Sequence, residues 1–510
     1  MPPRSLLSFK NVSLLLHGAP LLDELSLSVF PGQVLALIGA NGCGKSTLLK
    51  LIASSATGRS EIDTNAFEVT GEIHLAPRTE AVYLPQMLRD DGGIEAIAST
   101  SILDLSHESR LRREFGLEKS TDTEAMSDGE LQKAGLVRAL LAEGDLYLFD
   151  EPTNYLDIAG LTAFEDHLER LKRSGRGVIL VTHDRTLTDH LADQTVLLSR
   201  YGIFHTNGGA SEARSLSRQD FESRRHLAES LRRKIAQLQQ DARTRAGWAE
   251  AKEKQKRGAG GAKPHISRLS AKMAKRAKAV ARRAEKEVER LEATKPHVPK
   301  QVSLHIPRVE IRRRQVFSLE EVGFSYTPAS SLLSDITLAA TTRDKICLMG
   351  ANGSGKSTLL KVIRGELAAG SGERRFNRNV AVASIPQGLA GFFKNGSLLD
   401  NMRECGHDET TIRQYLGAAL LRKDKTEAPI GNFSYGELMR AAFVKCLLMR
   451  AEFMFLDEPT SHLDIESIEV LEQLAQDFGG GFLLISHDRS FVENVAETLY
   501  VLDAGRLRLV

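Results

Sequence analysis

The chain is short of several things at once. It has four cysteines in 510 residues, and Cys43, Cys347, Cys405 and Cys446 stand far apart with no C-x-x-C pair. That spacing excludes a disulfide scaffold and argues against a structural zinc. Isolated cysteines of this kind pack as small apolar side chains. No apolar run is long enough for a membrane-spanning helix. The opening Met1-Pro2-Pro3-Arg4 begins no signal-peptide apolar region, so a cytoplasmic location is expected. Net charge is also scarce, at +2, but it is unevenly spread. Residues 211–300 hold 25 Lys+Arg against 11 Asp+Glu, so the remainder of the chain is acidic. From Lys254 to Ala284 there are eleven basic residues and no acidic one. An ordinary charged helix would pair such cations at i,i+4, so this run points to a polyanion. The one tryptophan, Trp248, stands near this run, where it either stacks on a base or packs on a facing helix.

What is present is present twice. Gly39-Ala40-Asn41-Gly42-Cys43-Gly44-Lys45-Ser46 and Gly350-Ala351-Asn352-Gly353-Ser354-Gly355-Lys356-Ser357 both fit G-x-x-x-x-G-K-[ST]. The phosphate loop recurs after 311 residues, the acidic strand end (Asp150, Asp457) after 307 and a late histidine (His183, His487) after 304. A whole domain is duplicated, and the chain is too long for one core. The expected layout is one domain over 5–210, a connector over 211–314 and a second domain over 315–510. Short apolar runs at 34–38, 146–149 and 178–181, and at 345–349, 453–456 and 482–485, read as buried parallel strands of an α/β fold. Ligands then bind at the strands' carboxyl ends. In the connector, Leu227, Leu231, Ile235 and Leu238 form one apolar stripe, and Met273, Ala277, Val280, Ala284, Val288 and Leu291 another. The glycine-rich stretch from Gly258 to Pro264 separates them. This predicts a helical hairpin with its basic residues at the turn.

A phosphate loop needs glycines for close backbone approach and a helix N-terminus aimed at the anion. Gly39, Asn41, Gly42, Gly44, Lys45, Ser46 and Thr47, with Gly350, Asn352, Gly353, Gly355, Lys356, Ser357 and Thr358, are the candidate ATP contacts. Lys45 and Lys356 suit the β/γ-phosphates, and Ser46 and Ser357 suit Mg²⁺. Asp150 and Asp457 end apolar strands and suit the metal, while the adjoining Glu151 and Glu458 suit a general base acting on water.

The ordered set resembles ATP-binding cassette ATPases across both domains. Glu-Pro-Thr-x-x-Leu-Asp at 151–157 and 458–464, with Thr-His-Asp-Arg at 182–185 and Ser-His-Asp-Arg at 486–489, resembles the ABC-F class. The resemblance implies two tandem P-loop cassettes joined by a long α-helical hairpin, hydrolysing ATP with Mg²⁺. It implies that Gln86 and Gln387 sense metal and γ-phosphate, that His183 and His487 contact the γ-phosphate, and that Asp157 and Asp464 couple the sites. The signature motif is changed to Met126-Ser127-Asp128-Gly129-Glu130 and Phe433-Ser434-Tyr435-Gly436-Glu437. Ser127 and Gly129, and Ser434 and Gly436, remain to face a phosphate, but Asp128 adds a like charge there. Tyr326 takes the adenine-stacking place in the second copy, where the first has Leu16.

Head-to-tail pairing would then make Lys45, Gln86, Glu151 and His183 share one ATP with Ser434 and Gly436. Lys356, Gln387, Glu458 and His487 would share the other with Ser127 and Gly129. The expected state is a monomer whose two cassettes pair within the chain. ABC-F proteins act on the ribosome, their hairpin meeting P-site tRNA and the peptidyl-transferase region. Residues 211–314 are the expected contact with rRNA and tRNA. Ser270–Lys278 is similar to the hairpin of antibiotic-resistance members, and so is the layout, with Ser127 only 41 positions after Gln86 and little chain after His487. The competing readings are the energising subunit of a membrane importer and a DNA-associated cassette ATPase.

Overall fold

The computed structural model describes residues 4–57, 67–89, 97, 105–117, 126–199, 202–258, 282, 286–288, 311–327, 331–422 and 424–510. They fall into two units. One joins residues 1–213 with 302–510, and the other is 214–301.

The first unit contains the duplicated architecture. In the first copy a six-stranded sheet runs in the order Ala81–Leu84, Leu146–Asp150, Gly177–Val181, Val34–Gly39, Gln194–Ser199, Gly202–Thr206. All its pairings are parallel except the last. The second copy repeats this with Val382–Ile385, Phe453–Asp457, Gly481–Ile485, Lys345–Met349, Thr498–Asp503 and Arg506–Leu509. Each copy adds an antiparallel three-stranded sheet: Ala19–Val29, Leu7–Leu16, Phe67–Leu75 in one and Leu333–Thr341, Gln315–Phe324, Ser371–Phe376 in the other.

The central strands are buried on both faces, which is why they read as unbroken apolar runs. Alternate side chains serve two cores. Val34, Tyr147, Phe149, Val178 and Leu180 face helices Asp128–Leu141 and Ile158–Arg173. Leu35, Leu37, Leu148, Ile179 and Val181 face the small sheet and helix Lys45–Thr57. In-register pairs Leu37 with Val181 and Asp150 with Val181 bring the carboxyl ends level. Three loops therefore leave one edge side by side, carrying the P-loop, Asp150-Glu151 and His183.

In the second unit most of the described residues belong to helix Ala210–Gly258, 49 residues long, which begins in the first unit. Among its described side chains beyond Ala213, Phe221, Arg224, Ala228, Leu231, Ile235 and Leu238 are buried or half-buried. Their alternating three and four spacing is the 3.5-residue period of a coiled-coil seam. The expected stripe is corrected at one place: Leu227 is 51% exposed and Ala228 3%. Arg224–Asp220 and Arg225–Glu229 pair at i,i+4. Val288 of the second stripe is half-buried. Its other members and the turn after Gly258 lie outside the described residues.

Candidate active sites

Two positions show why glycine is required in the phosphate loops. A Cβ at Gly39 would stand 2.4 Å from the Leu198 carbonyl oxygen, and one at Gly350 2.4 Å from that of Leu502. The strand end must press on its neighbour, and no side chain fits between. The helices then open at Lys45 and Lys356 with their free amides at the loop. Lys45 Nζ donates to the Gly39 and Ala40 carbonyls at 2.8 and 3.0 Å, and Lys356 Nζ to those of Gly350 and Ala351 at 2.8 and 2.9 Å. Asn41, Gly42, Gly44, Lys45, Ser46 and Thr47 line a cavity of about 490 Å³, with Gln86, Asp150, Glu151 and His183 across from them. That size suits a nucleotide.

Asp150 is 1% exposed, and neither carboxylate oxygen has a hydrogen-bond partner that satisfies it. Burial raises its pKa to about 6, against the nearby Ser46 hydroxyl. In the second copy Asp457 Oδ1 is likewise buried and unsatisfied, burial raises the carboxyl, and the Ser357 hydroxyl opposes the rise. A buried carboxylate beside a serine hydroxyl, with oxygens to spare, fits a hard divalent cation such as Mg²⁺.

Glu151 and Glu458 both adopt left-handed backbone, with φ of 49°. Non-glycine residues rarely hold that conformation. Each is pinned by its own amide, which donates to the Val181 or Ile485 carbonyl at 2.9 Å. The twist turns each carboxylate toward a histidine: Glu151 Oε1 lies 3.0 Å from His183 Nε2, and Glu458 Oε1 3.3 Å from His487 Nε2. Their electrostatics diverge. Burial would raise Glu151, but the His183 and Lys45 charges outweigh it and hold the carboxyl below its usual range. Burial pushes Glu458 up to about 7 despite Lys356, and burial with the Lys356 charge pushes His487 down to about 4.

The cassettes meet through the loops that lead into Asp157 and Asp464, their D-loops. The Asn352 amide donates to Asp157 Oδ2 at 2.9 Å and its side chain to the Tyr155 carbonyl at 3.1 Å. The Asn41 amide donates to Asp464 Oδ2 at 3.2 Å and its side chain to the His462 carbonyl at 3.5 Å. Both asparagines, expected as nucleotide contacts, thus also bridge the halves. A second cavity, about 520 Å³, brings Ser127 and Gly129 of the first cassette together with Asn352, Gln387, Glu458 and His487 of the second. The reciprocal gathering is less complete, since Ser434 and Gly436 are not among the residues lining the first cavity.

Ser127 and Ser434 cap helices Asp128–Leu141 and Tyr435–Leu448 through reciprocal boxes with Glu130 and Glu437. The charge of Asp128 is not left bare: Arg89 Nε lies 2.6 Å from its carboxylate. Tyr326 is 62% exposed, with its ring edge against Phe324 and its hydroxyl 3.2 Å from Thr358 Oγ1. In the first copy an aromatic missed in the sequence lines the cavity beside Leu16. It is Phe67, paired across the small sheet with Leu16. His462 lines the same cavity from the other cassette.

With paired phosphate loops, Asp-Glu strand ends and cross-bridging D-loops in view, comparison with known proteins is direct. The ABC transporter family model matches residues 22–154 and 333–461. The chain belongs to the ABC transporter family. This ABC protein is 28% identical to the ATP-binding protein Uup of Caulobacter vibrioides over 98% of its length and 77% of that relative. It is also 28% identical to mouse ATP-binding cassette sub-family F member 3, covering 94% of this chain and 68% of that one. The expected ABC-F resemblance is thereby supported by relatives that match nearly all of this chain, and the chain is an ABC ATPase of two cassettes. Archaeal ribosome recycling factor aABCE1, solved with ribosomal stalk protein aP1, shares the fold. Its TM-score is 0.62 at 20% identity, over 95% of this chain and 87% of that one. Among the described residues of this ABC protein no helix is long and apolar enough to cross a membrane.

Proposed function

We propose that this ABC-F ATPase works on the ribosome, where ATP clamps its cassettes together and holds the basic connector near P-site tRNA and the peptidyl-transferase region. The observation that carries this reading is the 31-residue run with eleven cations and no acid, set between two nucleotide motors. A phosphate-rich partner answers such a run better than solvent does. Ribosome recycling is named for the archaeal neighbour of like fold, and a ribosomal setting is what we extend to this chain. The outcome is regulation of translation or protection of the ribosome from antibiotics, carried out in the cytoplasm by a monomer.

At each site the helix N-terminus and Lys45 or Lys356 bind the phosphates. Ser46 with Asp150, and Ser357 with Asp457, would hold Mg²⁺, aided by Gln86 and Gln387; the ion neutralises phosphate charge when bound. Glu151 and Glu458, turned inward by their left-handed backbone, take the proton from the attacking water. His183 and His487 orient against the γ-phosphate. Ser127 and Gly129 close the second site from the opposite cassette, and Ser434 and Gly436 close the first on full pairing. Hydrolysis removes the phosphate that both halves grip, and the clamp opens.

Sedimentation tests the reading. The Glu151→Gln/Glu458→Gln double variant, loaded with ATP, should co-migrate with 70S ribosomes in a sucrose gradient. Recovery only with membranes, or tighter salt-sensitive binding to duplex DNA than to ribosomes, would overturn it.

A further inference from the structure

Each cassette lays one helix across the other's site, and that helix is held at its start and again two turns on. Helix Ile465–Asp477 starts from its N-cap Asp464, which receives the Asn41 amide of the first phosphate loop. Two turns on, Glu472 is paired with Arg185, two residues beyond His183. One rigid element thus touches the first site at its phosphate loop and at its histidine loop, contacts about 12 Å apart along the helix. The arrangement is repeated in reverse. Helix Ile158–Arg173 starts at Asp157, which receives the Asn352 amide, and Glu165 Oε1 accepts from Arg489 Nη1 at 3.0 Å. Between the two clasps the Thr186 and Ser490 hydroxyls lie 3.1 Å apart.

The clasps are too deeply placed to be surface decoration. The Arg185 and Glu472 side chains are 10% and 11% exposed, those of Arg489 and Glu165 22% and 19%. A buried ion pair gains little over a well-packed apolar pair, and its best-attested use is fixing one geometry. Glu472 is fixed further by the Asn494 side chain at 3.2 Å, and Arg489 by Thr162 at 3.4 Å. Ile465, at the start of the spanning helix, packs with Ile38, Ala210 and Ala213, all within the first unit.

We propose that Arg185 and Arg489 are positioning residues for hydrolysis, tying each γ-phosphate histidine loop to the helix that follows the opposite cassette's D-loop. A histidine then reaches its phosphate only when the opposite cassette is seated. This rests on the reading that ATP is cleaved between closed cassettes, and not on the ribosomal setting.

The test uses the full-length chain without ribosomes, reading kcat and KM by phosphate release, binding of a non-hydrolysable ATP analogue, and thermal unfolding. Arg185→Ala and Glu472→Ala should each lower kcat about tenfold or more. Analogue affinity should stay within about threefold, because the phosphate loops are untouched. The reversed pair, Arg185→Glu with Glu472→Arg, should recover much of the loss seen in either reversed single. If the alanine variants unfold early, Arg185→Lys carries the test: it keeps the charge but loses the forked geometry, so an intermediate kcat is expected. Folded single variants with unchanged kcat, a reversed pair no better than its worse single, or a wild-type kcat in Arg185→Lys would overturn the proposal. A failure to bind ribosomes would leave the kcat result standing.

Discussion

Glu151 and Glu458 occupy the same place in two copies of one motif, with the same φ of 49°, yet they hold protons differently. In the first site the imidazole is 3.0 Å away and, with Lys45, keeps the carboxyl ionised against its burial. In the second the imidazole is 3.3 Å away and desolvated toward neutrality, and burial carries Glu458 to about 7. The small-sheet ends differ as well: Phe67 beside Leu16 lines the first cavity, whereas Tyr326 stands exposed at the second copy's corresponding strand end. Identical lettering fixes where a group stands. The charge it carries is set by neighbours from elsewhere in the chain.

The largest expected effect is from removing both bases. Glu151→Gln/Glu458→Gln should lower steady-state phosphate release by about 100-fold or more. The two single variants then sharpen the comparison, because equal residual rates would show that the electrostatic difference does not reach turnover. Next is the base contact. Phe67→Ala should weaken ATP binding at one of the two sites by about tenfold, and Tyr326→Ala should do so at the other. A fluorescent ATP analogue should resolve the two phases, and loss of the same phase in both variants would break the assignment.

A smaller effect concerns the interface. Burial raises Asp488 from an ordinary 3.8 to about 6, with Arg185 opposing the rise. The folded protein therefore prefers the protonated form. Stability from this group is full below about pH 4 and is lost as pH rises through about 6. Asp488→Asn keeps the N-cap on Phe491 and removes that cost. Its thermal unfolding should gain about 1–2 kcal/mol over the parent at about pH 7.5 and nothing near pH 4. The smallest effect should come from Arg89→Ala, which leaves Asp128 uncompensated beside the second site. ATP affinity there should fall about twofold, and less in high salt.

Much of this was legible because the chemistry is local in sequence. Strands buried on both faces are written as continuous apolar runs, and phosphate loops as glycines before Lys-Ser. What escaped depends on distance along the chain. Phe67 reaches the first cavity only because its strand pairs with Leu16, 51 residues earlier. Arg89, which offsets Asp128, lies 39 residues before it. Arg185 and Glu472 are separated by 287 residues. The connector stripe was misread by one position because a four-residue step to Leu231 favoured the larger Leu227 over Ala228. A 3.5-residue seam places the small residue inward.

The capping boxes carry a last consequence. Ser127 Oγ donates to Glu130 Oε2 at 2.7 Å, so its proton is already committed to a carboxylate on its own helix. If Ser127 closes on the γ-phosphate as proposed above, that phosphate must outbid the carboxylate for the hydroxyl proton, and a diphosphate lacks the group to do so. On the proposed mechanism the helix end is a threshold, opened by the third phosphate and left shut by its loss.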